Sequence, residues 1–272
     1  MINFNYETTH FSKENAYFLA QLSALAYENE ANITDALTTY FPTEFATTFA
    51  RFRFIDTHHN HKQAGFDAQA FIIANQKVIF IVFRGTQMDS LEDIVSNMDN
   101  RLVPCTFGHI YQGFYDTLQV ILADIFKAIQ DFQDNNQLIY ITGHSQGGAL
   151  AMLTAHLLGA QMPQLNGVYT FGQPKIGDML FATNFDMLFP TGVFRLVNVG
   201  DEVVNNPPSL YHAGICVKLD ENGNIEISEN NLLESSESDF ASVLDMLFDV
   251  ATDGLQSHEI TEYVKRLGRD TK

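Results

Sequence analysis

The chain has few basic residues, and this shortage argues against two classes of partner. Lys and Arg number 15 against 33 Asp and Glu in 272 residues, a formal net charge of −18. The sequence offers no basic patch that would neutralise phosphates, so nucleic acid is not expected as a partner. Non-specific attraction to an anionic membrane surface is disfavoured for the same reason. We interpret the acidic surface as one that keeps the protein soluble.

Long apolar runs and cysteines are scarce as well. No apolar stretch is long enough to span a membrane. The first ten residues lack the basic start and apolar run of a secretory signal. We therefore expect a cytoplasmic protein, or one exported by a route that this sequence does not show. Cys105 and Cys216 are far apart in sequence, and two reduced thiols are expected rather than a disulfide.

What is present predicts one α/β domain over residues 1–272. The chain is 46% hydrophobic, and no linker or internal repeat interrupts an alternation of strands and helices. Helices are predicted over 12–27 (N-cap Ser12), 33–49, 114–133, 238–252 and 257–267, and strands over 51–57, 68–74, 77–83, 168–171, 193–199, 214–219 and 224–228. Together, these elements predict a central, mostly parallel sheet with helices on both faces and antiparallel strands at its edges.

Residues 143–147, Gly-His-Ser-Gln-Gly, form a G-x-S-x-G pattern around Ser145. An apolar, β-branched run precedes it and strong helix formers follow it, so strand, turn and helix are in sequence. Gly143 and Gly147 remove side chains that would clash in such a turn. This is the nucleophile elbow of an α/β-hydrolase, which predicts that fold with Ser145 as the nucleophile.

A serine nucleophile needs a histidine base and an acid that orients it, and in this fold the acid and then the histidine follow the serine. His156 lies along the helix that leaves the elbow, roughly 16 Å away, and cannot reach back. His212 begins a strand edge. His258 starts a late helix after the last strand, where the fold predicts the base.

The acid is predicted at the carboxyl end of the strand over 193–199. Asp201 follows that strand, where the catalytic loops of open α/β sheets gather. The adjacent Glu202 is expected to point elsewhere. Asp178 is the alternative acid, although its position favours a helix N-terminus.

Two donors for a developing oxyanion are predicted from the neighbouring loops. One is the backbone N–H of Gln146, the residue after the nucleophile. The other is Thr86, which follows the strand over 77–83 and offers both its N–H and its hydroxyl.

The remaining histidines do not predict a metal site or a cofactor. His144 is beside Ser145 in sequence, but the elbow turns its side chain away, which favours a buried structural role. His58, His59 and His61 have no nearby cysteine or paired acid to complete a metal site, so a solvated loop is expected.

Several of these segments together resemble the class 3 (fungal-type) lipase family. They are residues 82–86 (Val-Phe-Arg-Gly-Thr), 143–147, 169–177 (Tyr-Thr-Phe-Gly-Gln-Pro-Lys-Ile-Gly), 199–203 (Val-Gly-Asp-Glu-Val) and His258, in order over about residues 65–265. The resemblance implies hydrolysis of triacylglycerol or related esters through an acyl-enzyme. It implies a triad and two oxyanion donors, which are Ser145, Asp201 and His258, and Thr86 and Gln146.

The chain departs from the family at three positions. Tyr111 replaces a common histidine, Ile94 lies near the place of a common tryptophan, and Lys175 stands where arginine is usual. None of these departures removes a catalytic residue. They bear on the lid contacts and on the substrate range.

In the family a short helix after the oxyanion loop forms a lid. Residues 89–98 carry apolar residues at helical spacing, namely Leu91, Ile94, Val95 and Met98. They predict a lid that opens at a lipid surface, with an ordinary helix packed on the core as the alternative. The predicted helix over 238–252 is likewise either a pocket wall or a solvated face.

We expect a cofactor-free serine lipase or carboxylesterase that acts on acylglycerol esters and contacts a lipid interface transiently. Phospholipase A1, galactolipid hydrolase and aryl (feruloyl-type) esterase are the alternatives within enzymes. A catalytically inactive, lipid-binding module of the same fold is the alternative outside them.

Overall fold

The computed structural model of the chain describes residues 4–40, 51–57, 67–87, 101–159, 162–228 and 255–269. The helices in this part are α1 Lys13–Leu25, α2 Glu30–Tyr40, α3 Gln112–Phe132, α4 Gln146–Gly159, α5 Met179–Leu188, α6 Leu255–His258 and α7 Ile260–Leu267. The strands are β1 Arg51–Asp56, β2 Gln69–Ala74, β3 Val78–Phe83, β4 Leu102–Cys105, β5 Gly108–Tyr111, β6 Leu138–His144, β7 Leu165–Phe171, β8 Val193–Asn198, β9 Ile215–Leu219 and β10 Ile225–Ser228.

Eight of these strands form one sheet in the order β1-β2-β3-β6-β7-β8-β9-β10. β3, β6, β7, β8 and β9 run parallel. β1 and β2 at one edge, and β10 at the other, pair antiparallel. β4 and β5 form a separate antiparallel hairpin. The sheet confirms the predicted mostly parallel arrangement with antiparallel edges.

The central strands are buried on both faces, which explains their unbroken apolar composition. Every residue of β3 is buried. Alternate residues Ile79, Ile81 and Phe83 pack into the cluster beneath α3, α4 and α5. Val78, Phe80 and Val82 pack into the cluster beneath α1 and α7. The site therefore stands on a sheet held between two apolar layers.

Two predicted helix starts are confirmed by their caps. The Ser12 hydroxyl accepts a hydrogen bond from Asn15 N at 3.1 Å at the start of α1. Asp178 accepts one from Phe181 N at 2.8 Å at the start of α5, which confirms its interpretation as a helix N-terminal residue. A serine or aspartate at this position satisfies a backbone donor of the first turn.

Other expectations differ from the structure or lie outside it. α2 begins at Glu30, ahead of the predicted start, and residues 41–49 of that predicted helix lie outside the described residues. The β4–β5 hairpin was not predicted. The predicted lid, the predicted helix over 238–252 and the histidine cluster also lie outside the described residues: Leu91, Ile94, Val95, Met98, His58, His59 and His61.

Cys105 and Cys216 are not joined by a disulfide, as predicted. Within the described ranges, no helix combines the length and the apolar character needed to cross a bilayer. The same ranges contain no cluster of three or more acidic, histidine or cysteine side chains arranged to hold a metal ion.

Candidate active site

Ser145 lies on a strained turn between β6 and α4. Its φ of 55° is the only positive value at a non-glycine position in the part of the chain described, a conformation that is costly for an L-residue. Ser145 N donates to Phe171 O at 2.8 Å, and Ser145 O accepts from Gly148 N at 2.9 Å. The turn is thus bonded to the end of β7 on one side and to the first turn of α4 on the other.

The two glycines of the motif let α4 lie directly against the strands. A Cβ at Gly143 would be 2.3 Å from Gly147 O, and one at Gly147 would be 2.5 Å from Phe83 O. Both contacts are with backbone atoms, which cannot move aside cheaply. The predicted need for glycine at these positions is therefore confirmed.

Asp201 and His258 form a buried pair, although they lie far apart in sequence. His258 Nδ1 lies 2.9 Å from Asp201 Oδ2 and 3.0 Å from Oδ1, and both side chains are 0% exposed. A carboxylate only accepts, so Nδ1 carries the proton that is donated to Asp201. Nε2 is buried and makes no hydrogen bond with any residue described.

Tyr263 of α7 completes the surroundings of Asp201 and was not singled out from the sequence. Its hydroxyl donates to Asp201 Oδ2 at 2.6 Å, and Val203 N donates to Oδ1 at 3.1 Å. Burial, followed by the Asp201 charge and this hydrogen bond, raises the pKa of Tyr263 well above its ordinary value. The phenol therefore stays protonated and remains a donor. Tyrosine on the buried stripe of a last helix resembles any core residue, so no sequence signal marked it.

Gly172 brings the acid–base pair to the serine turn. Phe171 O binds Ser145 N, as above, and the next residue, Gly172, has a φ of 58°. A Cβ there would lie 2.9 Å from both Asp201 Oδ2 and His258 Nδ1. The ends of β6, β7 and β8 thus meet where the sequence predicted the catalytic residues.

Thr86 and Gln146 also meet at this edge. The Thr86 hydroxyl donates to Gln146 Oε1 at 3.0 Å, and Gln146 Nε2 donates to Thr117 Oγ1 at 3.4 Å. The hydroxyl of Thr86 is therefore engaged by a side chain, which leaves the backbone N–H groups as the oxyanion donors to be considered.

The other candidates have different surroundings. The ring of His156 packs edge-on against Phe107 and Phe181, with ring centroids 4.6 and 5.5 Å away. His212 is buried, and burial, followed by Arg195 and Lys175, lowers its pKa well below 6.5. No hydrogen bond or ring contact described for either histidine involves Ser145.

Two carboxylates near the predicted acid point elsewhere. Asp178 binds His109 Nδ1 at 2.8 Å in addition to its cap. Glu202 accepts from Asn205 Nδ2 at 2.7 Å, which agrees with the expectation that it points away from the base.

Comparisons with known proteins identify chains of similar sequence. A family model described as Lipase (class 3) matches residues 80–211, a span that holds Thr86, Ser145 and Asp201 but ends before His258. A lipase of Caenorhabditis elegans is 29% identical over 212 residues, covering 75% of this chain and 58% of that protein. A lipase of Rhizopus niveus is 29% identical over 206 residues, covering 68% of this chain and 52% of its own length. The chain spans little more than half the length of these curated relatives.

A solved structure extends the similarity beyond the matched segment. Lipase II from Rhizopus niveus superposes with a TM-score of 0.67 at 19% identity, over 89% of this chain and 91% of that one. At this identity the similarity establishes the fold alone. The predicted α/β-hydrolase fold is confirmed.

Proposed function

We propose that the chain is a member of the class 3 lipase family, whose model matches residues 80–211, and that it is a serine-dependent carboxylic ester hydrolase of lipid esters. The observation that carries the proposal is the buried Asp201–His258 pair at 2.9 Å. The pair lies against Gly172, the residue after Phe171, whose carbonyl oxygen accepts a hydrogen bond from Ser145 N.

In the proposed reaction, Ser145 Oγ attacks the ester carbonyl carbon while His258 Nε2 takes the hydroxyl proton. Asp201 holds Nδ1–H and stabilises the imidazolium that forms. The tetrahedral intermediate collapses as His258 gives the proton to the leaving alcohol. Water then attacks the acyl-enzyme with His258 again as base, which releases the carboxylic acid and restores Ser145.

The oxyanion is stabilised by the backbone N–H groups of Gln146 and Thr86. These donors cost no reorganisation during the reaction because the elbow and the β3 loop hold them in place. The side-chain bridge from Thr86 through Gln146 to Thr117 supports this arrangement. It joins both donor segments to α3.

Covalent labelling tests the proposal. A fluorophosphonate probe is expected to modify the wild type at Ser145, and p-nitrophenyl esters are expected to be hydrolysed, whereas Ser145→Ala loses both reactions. Ser23→Ala is the matched control, because Ser23 is a buried serine whose Oγ lies 3.0 Å from Thr142 Oγ1. Full ester turnover by Ser145→Ala would falsify the mechanism, and an unlabelled, folded wild type would instead support an inactive binding module.

Substrate class is tested on emulsions and vesicles with the same enzyme. The similarity to class 3 lipases favours triacylglycerol and partial glycerides as substrates. Fatty-acid release from these esters is measured for a series of acyl lengths. Faster release of fatty acid from phosphatidylcholine, a galactolipid or a feruloyl ester would reassign the preferred ester while leaving the serine chemistry intact.

A further inference from the structure

Tyr27 and His144 form a hydrogen-bonded chain between the oxyanion loop and the base. His144 Nε2 lies 2.6 Å from His258 O, and Nδ1 lies 2.7 Å from Tyr27 Oη. A carbonyl only accepts, so Nε2 carries the proton and donates to His258 O. Nδ1 is then an acceptor, and the Tyr27 hydroxyl donates to it.

Burial keeps both side chains in their neutral forms. Burial, followed by the proximity of His258, lowers the pKa of His144 well below 6.5. Burial also raises the pKa of Tyr27 above its ordinary value. The neutral imidazole and the neutral phenol therefore persist at neutral pH. The donor and the acceptor of each of the two hydrogen bonds stay the same.

The same tyrosine contacts the oxyanion loop. The Tyr27 hydroxyl lies close to Gly85, the residue before Thr86. A Cβ at Gly85 would lie 2.4 Å from Tyr27 Oη and 2.4 Å from His144 O. The loop can approach this closely only because Gly85 has no side chain.

We infer that Tyr27 and His144 are positioning residues of the proposed hydrolase, on which this inference rests. Asp201 holds the His258 ring at Nδ1, a point about which the ring can swing. The bond from His144 holds the His258 backbone, so ring and main chain are anchored separately. Tyr27 lies on the chain segment after α1, outside the matched residues 80–211.

Kinetics of Tyr27→Phe test the inference. Because Tyr27 and His144 contact the oxyanion loop and the His258 backbone, we expect kcat of Tyr27→Phe to fall about tenfold at an unchanged KM, equivalent to about 1.4 kcal/mol. Tyr140→Phe is the matched control, since its buried hydroxyl donates to Tyr6 O at 2.9 Å, away from the site. An equal kcat in the two variants, or a change confined to KM, would overturn the inference.

Substitutions at His144 provide a second arm if Tyr27→Phe fails to fold. His144→Gln keeps a donor for His258 O, so it should retain more activity than His144→Leu. In the His144→Leu background, Tyr27→Phe should have little further effect, because the chain is already broken. Additive losses would show that the two residues act separately.

Nitrogen-15 NMR of labelled histidine tests the hydrogen bonds that join Tyr27, His144 and His258 without measuring activity. His144 is expected to be protonated at Nε2 and not at Nδ1, and Tyr27→Phe should shift the ring signals of His258 while Tyr140→Phe does not. Protonation of His144 at Nδ1 would contradict the proposed hydrogen bonds from Tyr27 to His144 and from His144 to His258. If the wild type hydrolyses no ester, the proposed function fails, but these signals still decide whether Tyr27 and His144 position His258.

Discussion

Replacing Gly172 by alanine should separate the proposed catalytic pair, Asp201 and His258, while leaving the fold in place. The added Cβ would lie 2.9 Å from Asp201 Oδ2 and 2.9 Å from His258 Nδ1, about half an ångström short of an ordinary contact. Both partners are buried side chains. They have little room to retreat except by moving apart from each other or from Ser145.

The expected effects on stability and rate differ in size. The left-handed backbone at Gly172, φ 58°, costs alanine roughly 1–2 kcal/mol, and overpacking adds about 1–3 kcal/mol. The misplaced base should lower kcat about 100-fold, because a displacement of 1 Å is sufficient for such a loss. Urea unfolding and p-nitrophenyl ester kinetics measure the two effects.

Gly192→Ala is the matched control. Gly192 also has a left-handed backbone, φ 82°, and its added Cβ would meet Asn166 O at 3.1 Å, far from the pair. It should lose stability but keep its kcat. Wild-type turnover in Gly172→Ala would refute the reasoning, and so would an equal loss of kcat in Gly192→Ala.

Three further perturbations follow from single contacts. Tyr263→Phe removes a hydrogen-bond donor from buried Asp201. It should lower the free energy of unfolding by about 1.5–3 kcal/mol and should also lower kcat. An unchanged urea unfolding curve would contradict this prediction. His144 and His212 have pKa values held well below 6.5 by burial, so below that pH the unfolded chain binds protons that the folded chain does not. The contribution of each histidine to the free energy of unfolding is therefore complete above pH 6.5. It falls by roughly 1.4 kcal/mol per pH unit for each histidine as the pH drops. A free energy of unfolding that stays constant from pH 6.5 to 5 would be inconsistent with this prediction. Asp178→Ala removes the N-cap of α5. It should lower the free energy of unfolding, measured by thermal denaturation, by about 0.5–2 kcal/mol and leave kcat unchanged.

Much of the fold could be predicted because its signals are local. The elbow is a local arrangement of strand, glycine-flanked serine and helix formers, and the chain order of the fold then limits the acid and the base. The β4–β5 hairpin could not be found in this way. Its strands are short, β4 contains Pro104, and neither shows a long alternating pattern.

The polar network around the site depends on residues from distant parts of the chain. Tyr263 is one of the apolar positions of α7, and nothing in its spacing indicates that its hydroxyl meets Asp201. The Thr86 hydroxyl was expected to be free for the oxyanion, but it binds the Gln146 side chain. Such choices depend on which acceptor the fold places nearest, and a sequence pattern does not encode that distance.

By itself the sequence determined the fold class and the candidates for nucleophile, acid and base, because chain order and local turn chemistry restrict them strongly. Only the tertiary structure decided how these groups are held. Packing places Gly172 beneath Asp201 and His258, directs Tyr263 to the carboxylate, and links Tyr27 through His144 to the base. These contacts join residues more than fifty positions apart, so they exist only once the sheet has brought its strand ends together.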